Sequence, residues 1–363
     1  MSLTILGLGT ATPPHSIPQD EAAELAKAFC CQTHEQARLL PMLYKRTHID
    51  RRGSVLLEEI KGSGLQQSFF SPAVGDADQG PSTGQRMQRY AQEAAPLALA
   101  AARRALTESQ LTAAQISQLI TVSCTGFVTP GVDIRLIKEL GLAKTISRTH
   151  IGFMGCHGAL NGLRVASAML DADPHARVLL CAVELCSLHF CYGWDSEKVV
   201  ANALFADGAA ALIAAPAVRE TIEAWQVAAN GSCLFPDSED AMTWRIGDHG
   251  FEMTLSASIP ALLAAHLRPW LDHWLGQNNL TLHQIRSWAI HPGGPRILRT
   301  VAACLGLSDQ TMGASREVLA ECGNMSSPTL LFILDRLRVA RAQRPCVALG
   351  FGPGLVAEAA LFT

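Results

Sequence analysis

Several absences bound what this 363-residue chain can be. Charged residues make up only 17% of it and the formal net charge is -3, so no global basic field supports a nucleic-acid partner. A small anionic ligand would need a local basic patch. Uninterrupted apolar runs of about 18 residues or more are missing, which excludes an apparent membrane span. A secretory apolar region is missing too: Met1-Ser-Leu-Thr-Ile-Leu-Gly7 is too short and runs straight into Leu8-Gly-Thr-Ala-Thr-Pro-Pro14. Cysteines number eleven, an odd count, yet none stand as a Cys-x-x-Cys pair. A reducing, cytoplasmic compartment is expected, with no disulfide framework and no metal site.

What is present is core-forming material. Hydrophobic residues reach 48%, enough for two domains or one large duplicated unit. Short apolar runs ending at Gly or small polar residues alternate with Ala- and Leu-rich helical patterns, the pattern of α/β architecture. Strands are expected over 3–8, 178–183 and 208–214, and helices over 85–106, 159–170 and 259–275. The run 113–124 reads as a helical turn leading into a buried strand. A similar turn and strand recur over 284–291, and a helix over 326–340 resembles that over 159–170. This repetition predicts two similar halves, 1–220 and 221–363. The stretch 53–85, with little periodicity, is the expected surface excursion.

The chemistry-bearing segment is Ile151-Gly-Phe-Met-Gly-Cys-His-Gly-Ala-Leu-Asn-Gly162. Cys156 falls at a helix start, where unpaired amides and the helix dipole favour a thiolate, and flanking Gly155 and Gly158 permit a tight strand-to-helix turn. A free cysteine is commonly only a small buried hydrophobe. Two distant partners weigh against that reading here. His291 ends an apolar run and is followed by Pro-Gly-Gly-Pro295, which leaves its imidazole at an exposed strand end, where α/β sites gather. Asn324, in Gly-Asn-Met-Ser-Ser327, could cap the following helix, but Ser326 or Ser327 can take that role and free its amide for a ligand. Cysteine with distant His and Asn is a kit for acyl transfer through a thioester.

These settings, together with Leu204-Phe-Ala-Asp-Gly-Ala-Ala210 and the C-terminal Gly350-Phe-Gly-Pro-Gly-Leu355, resemble the type III polyketide synthases, the chalcone synthase-like family of the thiolase superfamily. The likeness runs over essentially the whole chain. It implies a layered αβαβα fold of two similar halves, the first carrying the nucleophile, the second the catalytic His and Asn. It also implies that Cys156 thiolate, paired with His291 imidazolium, takes an acyl starter from coenzyme A. His291 and Asn324 would stabilise the enolate formed as malonyl-CoA loses carbon dioxide. Repeated decarboxylative Claisen condensation would lengthen a chain that closes to a pyrone, resorcinol or related polyhydroxylated aromatic. Coenzyme A thioesters enter as substrates, and no cofactor is expected.

The same resemblance assigns the steric residues. Phe205 falls on a gatekeeping phenylalanine between coenzyme A tunnel and reaction cavity, its plain alternative being a core aromatic. Ser326 matches a cavity serine, and Gly352, Pro353 and Gly354 match a segment shaping the cavity floor. Cys124, Cys186 and His189 stand where plant chalcone-forming enzymes carry threonines. Met253 replaces a second gatekeeping phenylalanine, and Trp244 stands where plant enzymes have glycine. A bulky aromatic starter is therefore doubtful, and a bacterial-type member using malonyl or aliphatic starters is expected. Arg46 matches a basic coenzyme A position, with Lys45, Arg51 and Arg52 beside it, though two further basic positions are Leu39 and Met42 here. Family members are homodimers, and Thr129 falls on the residue that reaches the partner's cavity.

Three other readings stand beside this one. A ketoacyl synthase of the fatty-acid initiation type shares Cys, His and Asn but uses acyl carrier protein, and lacks the Gly-Phe-Gly-Pro-Gly ending. A papain-like hydrolase shares them too, but its cysteine signature is absent. The third is a non-catalytic binding protein on the thiolase fold.

Overall fold

A computed structural model describes residues 3–60, 62, 64–217 and 224–363. The expected division near residue 220 lies outside the described residues. Nine strands form one sheet: β1 (Leu3–Ala11), β2 (Gln118–Ser123), β3 (Ser147–Gly152), β4 (Val178–Leu185), β5 (Asp207–Pro216), β6 (Gln226–Leu234), β7 (Ser287–Ile290), β8 (Cys346–Gly352) and β9 (Val356–Phe362). Their spatial order is β7-β8-β9-β6-β1-β5-β4-β2-β3.

The order is a duplication read outward from the β1/β6 junction. On one side β1 pairs antiparallel with β5, β5 antiparallel with β4, and β4 parallel with β2. On the other, β6 pairs antiparallel with β9, β9 antiparallel with β8, and β8 parallel with β7. Helix α1 (Thr83–Ser109) leads through a 3-10 turn at Ala113–Gln115 into β2, and a later helix (Ile259–Gln277) leads through Leu282–Gln284 into β7. Both turns open with a Thr-x-x-Gln capping box, Thr112 with Gln115 and Thr281 with Gln284. The amides of Ser117 and Gln118 donate to the Arg177 carbonyl, and those of Arg286 and Ser287 to the Pro345 carbonyl. The same local chemistry sets the same turn twice.

Five layers result. Two central helices, α2 (Gly158–Ala172) and α4 (Thr329–Val339) with the helix at Ile259–Gln277 as α3, complete the helices that matter to the site. Leu160 and Leu163 of α2 and Leu330, Leu331 and Ile333 of α4 share one apolar core with Val122, Leu180 and Leu212 on one side and Ala289, Ala348 and Phe362 on the other. Burial on both faces explains why both helices are nearly free of charge along their inner turns. Outside, α1 packs on the first half through Leu97, Leu99 and Ala101, and α3 on the second through Leu263, Leu267 and Leu271. Gly7 and Gly9 of β1 let α1 lie close, since a Cβ at either would come within 2.3 Å of a carbonyl oxygen of Ala105 or Ala101. No described helix is long and apolar enough to cross a membrane.

Expected strands and helices lie where the periodicity places them, with two differences. The helix expected from 326 begins at Thr329, because Ser326 sits at φ 58°, outside the right-handed region. The stretch 53–85 is not purely a surface excursion: Leu56, Leu57 and Phe70 are buried, and Phe70 joins Phe29, Phe69, Phe190 and Tyr192 in an aromatic cluster. The start of α1 at Thr83 also lies within it, set by a capping box between Ser82 and Gln85.

Candidate active site

Cys156 sits in a 3-10 turn, Gly155–His157, that feeds directly into α2. Gly155 makes that turn possible: its φ is 74°, and a Cβ there would come within 2.5 Å of Pro353. The thiol is 7% exposed. Its surroundings come from both halves. His291 follows the last residue of β7, with its amide donating to Leu349 O at 2.8 Å. Asn324 lies in a short bridge with Phe205, where Ala206 N–H donates to Asn324 O and Asn324 N–H donates to Leu204 O, each at 2.9 Å.

The Asn324 side chain is oriented, not idle. Its Oδ1 accepts the Ser326 amide at 2.8 Å, which turns its NH2 group outward as a donor. Neither Ser326 nor Ser327 caps α4, contrary to the sequence expectation; Ser326 Oγ lies 3.5 Å from Cys124 Sγ, and Ser327 Oγ donates to Glu184. Both ring nitrogens of His291 are buried without a protein partner. That leaves a full set of imidazole positions for a ligand.

Two cavities meet at this point. Cys156, Phe205, Met242 and Met253 line both. The inner chamber adds Cys124, Cys186, His189, Trp244 and Ser326; the outer channel adds His291, Asn324 and Arg46. Phe205, half-buried at the end of the helix Ser196–Leu204, stands at the junction assigned to it. The nucleophile thus faces a chamber on one side and polar donors on the other.

Burial sets the electrostatics. It pushes the Cys156 thiol up to about 12, against hydrogen bonds from Ser326 and Asn324 that act the other way. It pushes His291 down to about 3. Burial thus acts against a charge on either group taken alone, whereas the family resemblance implies a thiolate–imidazolium pair. Among the groups around them, the hydrogen bonds from Ser326 and Asn324 favour the thiolate, whereas His157 adds to what lowers His291. His157 is not part of this pair: its Nδ1–H donates to Asn161 Oδ1 at 2.8 Å, and Asn161 Nδ2 donates in turn to Glu358 at 3.1 Å.

His189, Trp244 and Phe251 form one wall of the chamber. His189 donates from Nε2 to Thr125 O at 2.7 Å, accepts the Phe251 amide on Nδ1 at 2.9 Å and stacks on the Phe251 ring. Burial holds it neutral, with its pKa down at about 3. Trp244 Nε1 donates to Cys124 O at 2.7 Å. Trp244 and Met253 are direct cross-strand partners in a hairpin of Met242–Gly247 and Gly250–Leu255.

Some expected residues lie elsewhere. Gly354 does not line either cavity; its amide donates to Met242 O and its carbonyl accepts from Ser238, while its neighbour Pro353 lines the chamber. Arg52 does not join Arg46 at the channel. It turns inward and donates to Gln19 Oε1 and to the carbonyls of Asn202 and Phe205, because those buried acceptors need a donor. Thr129 is exposed, away from this chain's own chamber. Unforeseen lining residues are Arg296 and Arg299, from the helix Pro295–Leu305, which add two exposed cations to the channel that Arg46 also lines.

Glu184 was also unforeseen. Fully buried at the end of β4, it accepts from Cys124 N–H at 2.9 Å, Thr125 Oγ1 at 2.7 Å, Ser123 Oγ at 3.3 Å and Ser327 Oγ. Burial raises its pKa and these donors counter it. It ties the end of β2 to the loop carrying Asn324. Its sequence signal was a lone carboxylate in an otherwise apolar strand.

Comparison with known proteins follows the same geometry. Residues 2–217 match the family described as chalcone and stilbene synthases, N-terminal domain, and residues 226–363 match the C-terminal domain of the same family. The chain is 34% identical to the alpha-pyrone synthesis polyketide synthase-like protein Pks18 of Mycobacterium tuberculosis, over 99% of this chain and 90% of that protein. It is 33% identical to 1,3,6,8-tetrahydroxynaphthalene synthase of Streptomyces peucetius, over 98% of this chain and 91% of that one. The crystal structure of PKS-I from the brown alga Ectocarpus siliculosus superposes with a TM-score of 0.93 at 32% identity, over 99% of this chain and 98% of that chain. The fold is thiolase-like, and the chain belongs to the chalcone and stilbene synthase family, the type III polyketide synthases.

Proposed function

We infer that this enzyme loads an acyl starter from coenzyme A onto Cys156, extends it with malonyl-CoA by repeated decarboxylative condensation, and releases a cyclised product such as a pyrone or resorcinol. The observation that carries this reading is the placement of Cys156 at the meeting of two cavities, with His291 and Asn324 on the channel side alone. In loading, Sγ attacks the thioester carbonyl as His291 takes its proton, and the proton leaves on the departing coenzyme A thiol. Cys156 then carries the acyl group toward the chamber.

Malonyl-CoA enters through the channel, with its thioester oxygen against the Asn324 NH2 and the His291 imidazole. Loss of carbon dioxide leaves an enolate whose negative charge those two donors stabilise. Asn324 suits this because it donates without titrating, and its oxygen is already held by Ser326 N–H. The enolate carbon attacks the Cys156 thioester, a carbon–carbon bond forms, and the thiolate departs. The lengthened chain, now on coenzyme A, reloads for the next cycle. Atoms and electrons balance without a metal or redox cofactor.

Arg46, Arg296 and Arg299 supply cations for the coenzyme A phosphates, a reading supported by the absence of any ion pair to them among the described residues. A homodimer is supported by the exposed apolar side chains of Phe127, Val128 and Met154 around the Thr129 loop, which would reach the partner's chamber. The strand order repeated about β1 and β6 supports reading the chain as halves 1–220 and 221–363. Eleven free thiols support a reducing cytoplasmic setting.

The test is incubation of purified enzyme with malonyl-CoA and a panel of acyl-CoA starters, followed by carbon dioxide release and mass spectrometry of products. New ketide products are expected with at least one starter. Absence of turnover across the panel, or turnover that survives Cys156→Ala, contradicts the reading. Starter, number of extensions and ring type come from the same panel.

A further inference from the structure

A buried polar cluster beside the nucleophile takes no part in the chemistry described above. Glu358 is the only charged side chain in β9, 2% exposed, and three groups donate to it: Asn161 Nδ2 at 3.1 Å, Ser232 Oγ at 2.7 Å and the Arg164 guanidinium. A carboxylate only accepts, so Asn161 turns its NH2 toward Glu358 and its oxygen toward His157. The proton of His157 therefore sits on Nδ1, in the 2.8 Å bond to Asn161 Oδ1, and Nε2 keeps its lone pair. That second nitrogen is buried with no partner.

An unpartnered polar atom in the interior destabilises the fold, and an apolar side chain of similar volume would avoid that loss. What His157 does there follows from where it lies. The ring packs on one face of β8: a Cβ at Gly352 would come within 2.4 Å of the imidazole Cδ2 and Nε2, and one at Gly350 within 3.1 Å of the His157 Cβ. Gly350 is the cross-strand partner of Glu358, and Glu358 that of Ser232, so the anchor of the cluster belongs to the neighbouring rungs of the same sheet.

The same stretch of β8 also holds the other reacting group. Leu349, the residue before Gly350, accepts the His291 amide at 2.8 Å. On the far side of the turn, Pro353 packs where a Cβ of Gly155 would stand. The turn that carries Cys156 and the strand end that carries His291 are thus both located against residues 349–353, one by a side chain and the other by a backbone hydrogen bond.

We propose that His157 is a positioning residue, held in one tautomer and one orientation by Asn161 and Glu358, which seats the Cys156 turn on β8 at the reacting distance from His291. The proposal rests on the acyl-transfer reading given above, since it assigns what keeps Sγ where His291 can take its proton. It concerns loading and not decarboxylation. His291 and Asn324 are held by Leu349 O and Ser326 N–H, and neither bond involves His157. Supporting groups of this kind act through geometry, where a displacement of about 1 Å can lower a rate by about a hundredfold.

The test separates loading from decarboxylation in wild type, His157→Leu, His157→Asn, Asn161→Ala and the double variant His157→Leu/Asn161→Ala. Intact-protein mass spectrometry follows acylation of Cys156 by acetyl-, hexanoyl- and dodecanoyl-CoA, and carbon dioxide release follows malonyl-CoA alone. His157→Leu occupies the space without a donor, and loading is expected to fall about a hundredfold while decarboxylation stays within about threefold of wild type. His157→Asn returns an amide nitrogen near the place of Nδ1 and is expected to recover about tenfold of that loss. The double variant is expected to load no more slowly than His157→Leu, because the two residues act as one unit. Loading unchanged in His157→Leu, losses that multiply in the double variant, or loading and decarboxylation falling equally in both His157 variants overturns the proposal alone. Wild-type enzyme that takes up none of the three acyl groups overturns the acyl-transfer reading beneath it.

Discussion

The two halves of this molecule share a topology and divide the chemistry. At the end of β2 in the first half stands Cys124; at the end of β7, its counterpart in the second, stands His291. Before the first central helix stands Cys156; before the second, Asn324. The first half thus contributes the buried thiols, the nucleophile among them, and the second contributes the donors His291 and Asn324 that face the channel, while both halves line the chamber, the second through Trp244, Phe251, Met253 and Ser326. Duplication brings two pairs of corresponding positions together at one place, and the residues that fill them decide which half attacks and which half stabilises charge.

That division can be broken at each position. The largest effect is expected for Cys156→Ala, which should reduce acyl loading, read by intact mass, by more than about a thousandfold, since no second nucleophile shares its turn. Next, Asn324→Ala should slow decarboxylation of malonyl-CoA by about a hundredfold to a thousandfold while leaving acyl loading much less affected. His291→Ala should slow both, because His291 takes the thiol proton and also donates to the enolate. Equal loss of loading and decarboxylation in Asn324→Ala would erase the distinction between the halves.

Glu184 tests how the halves are joined. Removing a fully buried carboxylate that serves donors from β2, its following residues and Ser327 leaves several of them unsatisfied. Glu184→Ala should cost about 3 kcal/mol in a denaturant titration, and Glu184→Gln, which keeps an acceptor oxygen, clearly less.

The smallest and sharpest test concerns the charge state of Cys156 and His291. Burial drives Cys156 up to about 12, so the reactive thiolate is the minor form and its fraction grows as pH rises. Alkylation of Cys156 by iodoacetamide should therefore climb by about tenfold per pH unit between about pH 6 and pH 9. A plateau already reached in mild acid would mean that the two halves hold a charged pair at rest, with His291 overcoming the desolvation that lowers it to about 3.

Much of this was legible in the sequence, and the reason is locality. The Gly-Cys-His-Gly turn and the His before Pro-Gly-Gly-Pro are set by neighbours a few residues away, so spacing and residue type suffice to find them. Cys124, Cys186, His189, Trp244, Met253, Phe205 and Ser326 all line the chamber, as the family resemblance implied. What was not legible depends on distant partners. Arg52 reads as one of four cations near the channel, but Gln19, Asn202 and Phe205 draw it inward. Glu184 gains meaning only from donors distant in the chain, those of Ser123, Cys124 and Thr125 and that of Ser327. The hairpin of Met242–Gly247 and Gly250–Leu255 escaped the periodicity reading because it lies outside the main sheet, half exposed, with polar residues on one face and Trp244 and Met253 on the other. Arg296 and Arg299 stand in no motif of the sequence, and only the helix Pro295–Leu305 brings them to the channel.

The account stands most directly on what Cys156 carries during turnover. The enzyme should be mixed with malonyl-CoA and an acyl-CoA starter, quenched in acid within one cycle, digested, and the Cys156 peptide weighed. The peptide is predicted to carry the starter and, at later times, the starter lengthened by ketide units, with both signals lost in Cys156→Ala. Product accumulating while the Cys156 peptide stays unmodified, or the acyl group found on another residue, would contradict it.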